Sequence, residues 1–369
     1  MIKNIRENIK NFDTPLFFAC FALSVIGIFL VSSATSSYGT LRLIIVQSGA
    51  LILGMIFCFA IAFWDYEFLS TKYIYIFATN IFLLVLVLII GIGGEEVGGN
   101  SWIDLGFIKF QPSEIVKIGY IICFAVQLES CKDDINNPKN VLLFILHFAV
   151  ILGLILLQPD FGTGMVFMAI FVGMLFVARI SYKYVVGALI TGVCALPLIW
   201  NFFLSNYQKD RIRVFINPEL DPMGSGYQVI QSKIAIGSGG FTGDGLFSGV
   251  QTQLGYLPAK HTDFIFSVAG EELGFIGSVL IIAIMIFIIL RCFYIAINAK
   301  NSLGGFIATG IGMMLFAQSF ENIGMTIGLM PVTGITLPFL SYGGSSMLTT
   351  YIAIGIVLNI KIRHKVINF

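Results

Sequence analysis

The stretch LGFIGSVLIIAIMIFIIL, residues 273–290, runs for eighteen positions without a charged side chain. A run of this kind reads as a membrane-spanning helix, because about 20 apolar residues cross a bilayer core of about 30 Å. It sits inside an apolar stretch near 270–293. Nine others lie near 14–32, 42–63, 73–93, 112–129, 140–157, 161–179, 184–203, 305–330 and 338–360. The chain has 369 residues, 57% hydrophobic and 11% charged. The charged share is less than half the usual one, and the apolar stock supplies about ten spans. This excludes a soluble enzyme, a disordered chain and a nucleic-acid binder. The runs are continuous and not alternating, which argues against a transmembrane β-barrel. The expected fold is an all-α integral membrane protein of about ten transmembrane helices, a single polytopic domain over residues 1–369. A net charge of +1 implies no strongly acidic partner.

Basic residues set the orientation. With the N-terminus cytoplasmic, the inner segments hold Lys3, Arg6, Lys10, Lys72, Lys132, Lys139, Arg179, Lys183, Arg291, Lys300, Lys361, Arg363 and Lys365, which is 13 of the 21 Lys and Arg. Five of the rest, Lys209, Arg211, Arg213, Lys233 and Lys260, fall in one long loop, where the rule is weak. Both termini are thus expected to be cytoplasmic, with the 94–111 loop and a large 204–268 loop, between the seventh and eighth helices, outside. Lys3, Arg6 and Lys10 before the first apolar run resemble a signal peptide cleaved near Ser33–Ala34. The run is longer than a usual signal core, so a retained anchor is expected.

The long loop is not low-complexity. It mixes both charges, many glycines and short apolar runs such as Phe264–Ile265–Phe266. It reads as a functional segment folded against the membrane and partly re-entrant. Cys20, Cys58, Cys123, Cys131, Cys194 and Cys292 show no CxxC spacing and read as buried small hydrophobes.

Polar groups at membrane depth are costly and mark function by default. In FQPSEIVK, Pro112 suits a first helical turn, and Glu114 and Lys117 share a face and can pair. The pair either locks two helices or forms a polar floor for a ligand. Trp102 in GGNSWIDLG is an interfacial anchor or a sugar-stacking platform, and its residue type favours the anchor. In LQPDFGTG, Asp160 is a helix cap or a ligand residue. In PAKHTDFIFSVAGEELGF, residues 258–275, Lys260, His261, Thr262 and Asp263 crowd together before an apolar run. Asp263 can act there as a general base; the alternative is that Thr262 or Asp263 caps the next helix. Glu271 and Glu272 read as structural, favouring the positive end of that helix. In GITLPFLSYGGSS, Pro338, Gly343 and Gly344 break a span, with Ser341, Tyr342, Ser345 and Ser346 along the break, and Glu321 and Asn322 of the preceding span could face the same cavity. His147, alone on an apolar face, reads as a core residue.

These motifs, with NPELDPMGSGYQVIQSKIAIGSGG and ENIGMTIGLMPVTGITLPFLSYGGSS, stand in one order through essentially the whole chain. In that order they resemble the SEDS family, the RodA, FtsW and sporulation-type membrane glycosyltransferases of bacterial cell-wall synthesis. Gln251–Thr252–Gln253 and ENIGMTIGLMPVTG look more like RodA than FtsW, whereas GEELG, residues 270–274, is shared with FtsW. Two positions depart from the pattern: Ala259 stands where Glu is common, and Thr336 stands where Pro is common.

The resemblance implies ten transmembrane helices and a peptidoglycan glycosyltransferase that polymerises lipid II onto the nascent lipid-linked glycan for elongation and rod shape. It implies Asp263 as the catalytic residue. Trp102, Glu114, Lys117, Asp160, Gln231, Lys233, His261 and Ser341 are the expected substrate-binding residues. Inversion from an α-linked donor to a β-1,4 product needs a base on one side and leaving-group stabilisation on the other. Lys117, Lys233, Lys260 or a divalent cation, Mg or Mn, could supply the positive charge. The expected partners are a class B penicillin-binding transpeptidase and elongation-complex membrane proteins, and the expected place is the bacterial plasma membrane. A lipid II flippase would use the same cavity without needing a base, and the division paralogue is the other alternative. A scaffold would need no buried polar cluster.

Overall fold

The computed structural model describes residues 11–36, 39, 41–93, 101–104, 106, 109–203 and 206–363. Lys3, Arg6, Lys10 and Lys365, used in the orientation argument, lie outside the described residues, as do residues 94–100 of the 94–111 loop.

The long helices are α1 (Thr14–Thr35), α2 (Leu41–Phe63), α4 (Tyr73–Ile90), α5 (Pro112–Ser130), α6 (Pro138–Leu156), α7 (Phe161–Val177), α8 (Tyr182–Leu198), α12 (Ile265–Ile297), α13 (Ser302–Thr326) and α14 (Gly344–Ile362). Between them lie a short α3 (Tyr66–Thr71) and a two-stranded antiparallel ribbon, β1 (Ile103–Asp104) and β2 (Lys109–Phe110). Each apolar stretch of the sequence thus holds one long helix. Seven of them, α1, α2, α4, α6, α12, α13 and α14, are long and apolar enough to cross a membrane, and α7 and α8 are shorter apolar helices. Helix α5 differs because Glu114, Lys117 and Glu129 interrupt it.

The caps follow the local sequence. Asp13 caps α1 by accepting from Leu16 N, Asn137 caps α6, and Asn301 caps α13, each sparing an unpaired backbone donor. Helix α1 runs through Ser33 and Ala34, both buried, so residues 14–35 form an integral helix of the bundle. Helix α12 starts at Ile265, earlier than expected from hydropathy, because it is two helical pieces joined at Gly274, whose φ of 66° lies in the left-handed region. The apolar stretch 305–330 stops being helical at Thr326, and the stretch 338–360 becomes helical only at Gly344. The break expected inside a span therefore lies between two spans, in residues 331–343. Pro331 and Pro338 in that segment have no N–H to continue a helix.

Burial sorts the helices. In α14 and α13, 83% and 78% of the apolar window is buried, against 17% in α4. These two helices are the core: α14 packs along α2, and α13 packs on α12, α7 and α5. Outward-facing residues such as Ile45, Ile52 and Ile89 are mostly exposed. Such a broad apolar surface fits lipid and not water.

The 204–268 segment, expected as a loop folded against the membrane, has regular structure of its own, α9 (Asn206–Ile216), α10 (Ser225–Ser238) and α11 (Val250–Gln253). Helix α10 packs against α12. Of the six free thiols, Cys194 is exposed and Cys131 half-buried, which corrects the reading of all six as buried; the other four are buried. Gly328 lies beyond the end of α13 with φ 77°, under the side chain of Lys233.

Candidate functional site

The turn 258–264 joins the 204–268 segment to α12. Ala259 adopts φ 47°, and its carbonyl accepts from Thr262 N, Thr262 Oγ1 and Phe264 N at 3.1, 3.2 and 3.3 Å. Helix α12 has Phe264 at its N-cap and no side-chain cap. Thr262 folds back on Ala259, so neither it nor Asp263 caps the helix. The Asp263 carboxylate is half-buried and lies over Gly334, where a Cβ would come within 3.7 Å of Oδ2. It accepts none of the hydrogen bonds found among the described residues. Burial lifts its carboxyl to about 6, against the opposing pull of the Arg211 guanidinium. Arg211, on α9, donates to Val332 O at 2.8 Å. Burial and then the Lys260 charge hold His261 below the ordinary imidazole range, so its ring is neutral at pH 7. That ring lies 5.7 Å from the ring of Tyr342.

The segment 331–343 lies alongside the turn. Ser341 Oγ donates to Thr262 O at 2.7 Å and accepts from Leu337 N at 2.8 Å. Thr336 shares a 3.0 Å hydroxyl contact with Ser346 at the start of α14, a link that Pro could not make.

Below this lies a buried charge network. Lys117 Nζ is 2.7 Å from Glu114 Oε1, and both side chains are almost fully buried. Glu114 Oε2 accepts from Thr349 of α14 at 3.3 Å, so the pair ties α5 to α14. Asp160 caps α7 through Thr163 N at 3.0 Å, with Thr163 Oγ1 at 2.8 Å. It also receives Gln111 Nε2 at 3.4 Å. Lys117 and Glu114 act on Asp160 electrostatically, and Lys117 and Asp160 act on Glu321. One lysine thus serves three carboxylates. Buried charges need such pairing to avoid a large desolvation cost. Thr333 and Ile335 lie against Gly162, next to Asp160, so the 331–343 segment connects this network to the Asp263 turn.

The remaining expected residues are dispersed. Lys260 is buried, and its ammonium donates to Thr252 O. Lys233 is exposed on α10 and Gln231 half-buried on the same helix. Trp102 is half-buried and pairs with Ile92 through both backbone groups. Glu271 accepts from Gln251 N at 2.6 Å, Thr252 N at 3.0 Å and Thr252 Oγ1 at 2.6 Å. Glu272 accepts from Ser33 and from Gln253. These two carboxylates pin the 204–268 segment to α1 and α12, in keeping with a structural part.

The model of the FtsW, RodA and SpoVE family, described as a cell cycle protein, matches residues 14–366. The chain belongs to this family. Relatives include the Escherichia coli K12 peptidoglycan glycosyltransferase MrdB, 38% identical over 80% of this chain and 79% of its own length. A probable peptidoglycan glycosyltransferase FtsW of Trichlorobacter lovleyi is also 38% identical, over 98% of this chain and 96% of its own. The fold is similar to a chain of a peptidoglycan synthase complex that coordinates polymerization and crosslinking, with TM-score 0.81, 32% identity and coverage of 95% and 97%. Thermus thermophilus rod shape determining protein RodA matches with TM-score 0.72, 28% identity and coverage of 96% and 97%.

Within this family fold, the structure joins Asp263, His261 and Ser341 in one cluster and Glu114, Lys117 and Asp160 in another. Arg211 enters the first cluster without having been singled out by the sequence. Nothing local marks it, since only folding of α9 onto Val332 brings it near Asp263. No group of three or more His, Cys, Asp or Glu among the described residues suits a metal ion. In the second cluster, Lys117 pairs with Glu114 and also acts on Asp160. Among the described residues, the side chains therefore offer no three-ligand site for a resident divalent cation.

Proposed function

We propose that this chain is an inverting peptidoglycan glycosyltransferase that polymerises lipid II, with Asp263 as general base. Its membership in a family whose curated members are named peptidoglycan glycosyltransferases supports the activity. The observation that carries the mechanism is the state of Asp263: half-buried, not spent on capping, and raised by burial to about 6. A base with a pKa near the working pH combines sufficient ionisation with sufficient basicity. The acceptor sugar O4 attacks the donor anomeric carbon as its proton passes to Asp263. The new β C–O bond forms opposite the breaking α C–O bond, whose electron pair leaves with the pyrophosphate. Of the lysines considered for the leaving group, Lys117 and Lys260 are engaged in buried contacts, and Lys233 is the exposed one. Arg211 adds a cation beside the turn. Mg or Mn would enter with the pyrophosphate-bearing substrate, and no step above depends on it.

The same reading places Trp102, Gln231, His261 and Lys233 along the substrate path and the Glu114, Lys117 and Asp160 network beneath it. It places ten spans in a bacterial plasma membrane with both termini cytoplasmic and 204–268 outside. A reporter inserted at Met223, which is 95% exposed, should read external, and one near Lys183 cytoplasmic. A class B penicillin-binding transpeptidase is the proposed partner, supported by similarity to a complex that coordinates polymerization and crosslinking. The Gln251–Thr252–Gln253 stretch and the RodA-like fold support a part in elongation with its membrane proteins.

The test is incubation of the purified chain with lipid II, with and without the transpeptidase, followed by glycan gels. Asp263→Asn should insert and bind lipid II yet polymerise about 100- to 10,000-fold more slowly. Polymer at the wild-type rate would remove Asp263 from the mechanism and reopen the transporter reading.

A further inference from the structure

We propose that Asn322 and Ser341 are positioning residues that fix the backbone of the 258–264 turn and so set where the Asp263 carboxylate points. The inference rests on the reading of Asp263 as the base. Three consecutive carbonyls of the turn are each taken by a donor from elsewhere. His261 O accepts from Tyr342 N at 2.8 Å, Thr262 O from Ser341 Oγ at 2.7 Å, and Asp263 O from Asn322 Nδ2 at 2.8 Å. No side chain caps α12, so the turn is not oriented by its own helix. These three contacts orient it.

Asn322 comes from α13, a core helix, and is fully buried. Its Nδ2 also donates to Ile335 O at 2.7 Å, so a single amide joins the turn to the 331–343 segment. Its Oδ1 has no partner among the described residues. A buried orphan acceptor is destabilising, which argues that this amide is placed for its two donor contacts. Ser341 is supported in turn by Gln47, whose Nε2 donates to Ser341 O at 3.0 Å and whose Oε1 accepts from Gly343 N at 3.1 Å. Ser341 is 4% exposed and its hydroxyl has partners on both sides. That removes it from the expected substrate contacts and gives it an indirect role. Catalysis is sensitive to such placement, because an error of about 1 Å at the reacting groups can cost about 100-fold in rate.

Asn322→Asp keeps the side-chain shape but replaces an NH2 that donates twice by a carboxyl that can donate at most once, and Ser341→Ala removes the hydroxyl. In a lipid II polymerisation assay, kcat should fall by up to about 100-fold for Asn322→Asp and by less for Ser341→Ala. KM and lipid II binding should stay at wild-type values, and the protein should remain monodisperse in detergent. Added to Asp263→Asn, either change should lower the residual rate of glycosidic bond formation no further, because a positioning residue acts only through the group it positions. A rate loss matched by loss of folded protein, or by a rise in KM, would overturn the proposal. The same factor of loss with and without Asp263 would do so too. If Asn322→Asp fails to insert, Ser341→Ala decides by the same measurements. An active Asn322→Asp beside an inactive Asp263→Asn would overturn the positioning alone, whereas an active Asp263→Asn would overturn the base itself.

Discussion

Asp263 precedes the start of α12 and Glu271 lies just inside it, yet their surroundings differ in kind. Glu271 is fully buried, and its two oxygens accept from two backbone N–H groups and one hydroxyl of α11. Asp263 is half-buried and accepts none of the hydrogen bonds found among the described residues. Its backbone carbonyl is held and its carboxylate is left for other work. A carboxylate saturated by donors fastens chain to chain, and its lone pairs are unavailable to a substrate proton. One that is partly desolvated and unsaturated keeps both its lone pairs and an elevated basicity. Acidic residues crowded into one short motif thus separate into a saturated and an unsaturated carboxylate by what the surrounding backbone offers them.

The largest expected effect is on Asp263 itself. Besides the rate loss, Asp263→Asn should leave thermal stability at neutral pH equal to or above that of the wild type. The sign follows from linkage: the folded-state pKa of about 6 is above the unfolded carboxylate value, so the ionised group weakens the fold at neutral pH. That penalty is relieved progressively as pH falls from about 6 toward the unfolded carboxylate value of about 4, and the difference between variant and wild type should close across that interval. A variant much less stable than the wild type would erase the contrast with Glu271.

Next comes Glu114→Gln. Leaving Lys117 without its closest carboxylate should cost about 3–5 kcal/mol, since breaking a buried pair strands a charge. Yield, melting temperature and polymerisation should all fall together. A stable but inactive variant would move Glu114 from a structural part toward direct contact with substrate.

Glu271→Gln should have a smaller effect, about 1–3 kcal/mol, the range for weakened hydrogen bonds to a buried charged acceptor. Activity per folded molecule should be nearly kept, with faster proteolysis or hydrogen exchange across residues 244–253. A selective loss of kcat would place Glu271 in the chemistry and break the comparison. The mildest test is pH. The initial rate should fall about tenfold per unit below pH about 6 as Asp263 takes up a proton. A flat acid limb would argue that another group accepts the proton.

Much of the architecture was legible because continuous apolar runs favour helix: each of the ten runs holds a helix, and seven of these helices are long and apolar enough to cross a membrane. The Glu114–Lys117 pair was legible because it is local, set by helical spacing. Asp160 was left open between cap and ligand, and the fold shows the cap. The end of α13 and the start of α14 were misread, because hydropathy does not register where prolines and a left-handed glycine end a helix. The regular structure of the 204–268 segment was missed for a similar reason: α9 and α10 are short, mixed in polarity and stabilised by what they pack on.

By itself, the sequence determined a helical membrane bundle of the FtsW, RodA and SpoVE family and pointed to Asp263 as its reactive residue. Composition and contiguous motifs are local properties that survive without coordinates. Only the tertiary structure decided what each polar group does. It saturated the Glu271 carboxylate with donors and gave that of Asp263 none among the described residues, gave the Ser341 hydroxyl two backbone partners, and brought Arg211 and Asn322 to the turn. Those assignments depend on which donors and charges from distant parts of the chain arrive within a few ångströms, and sequence spacing does not encode that distance.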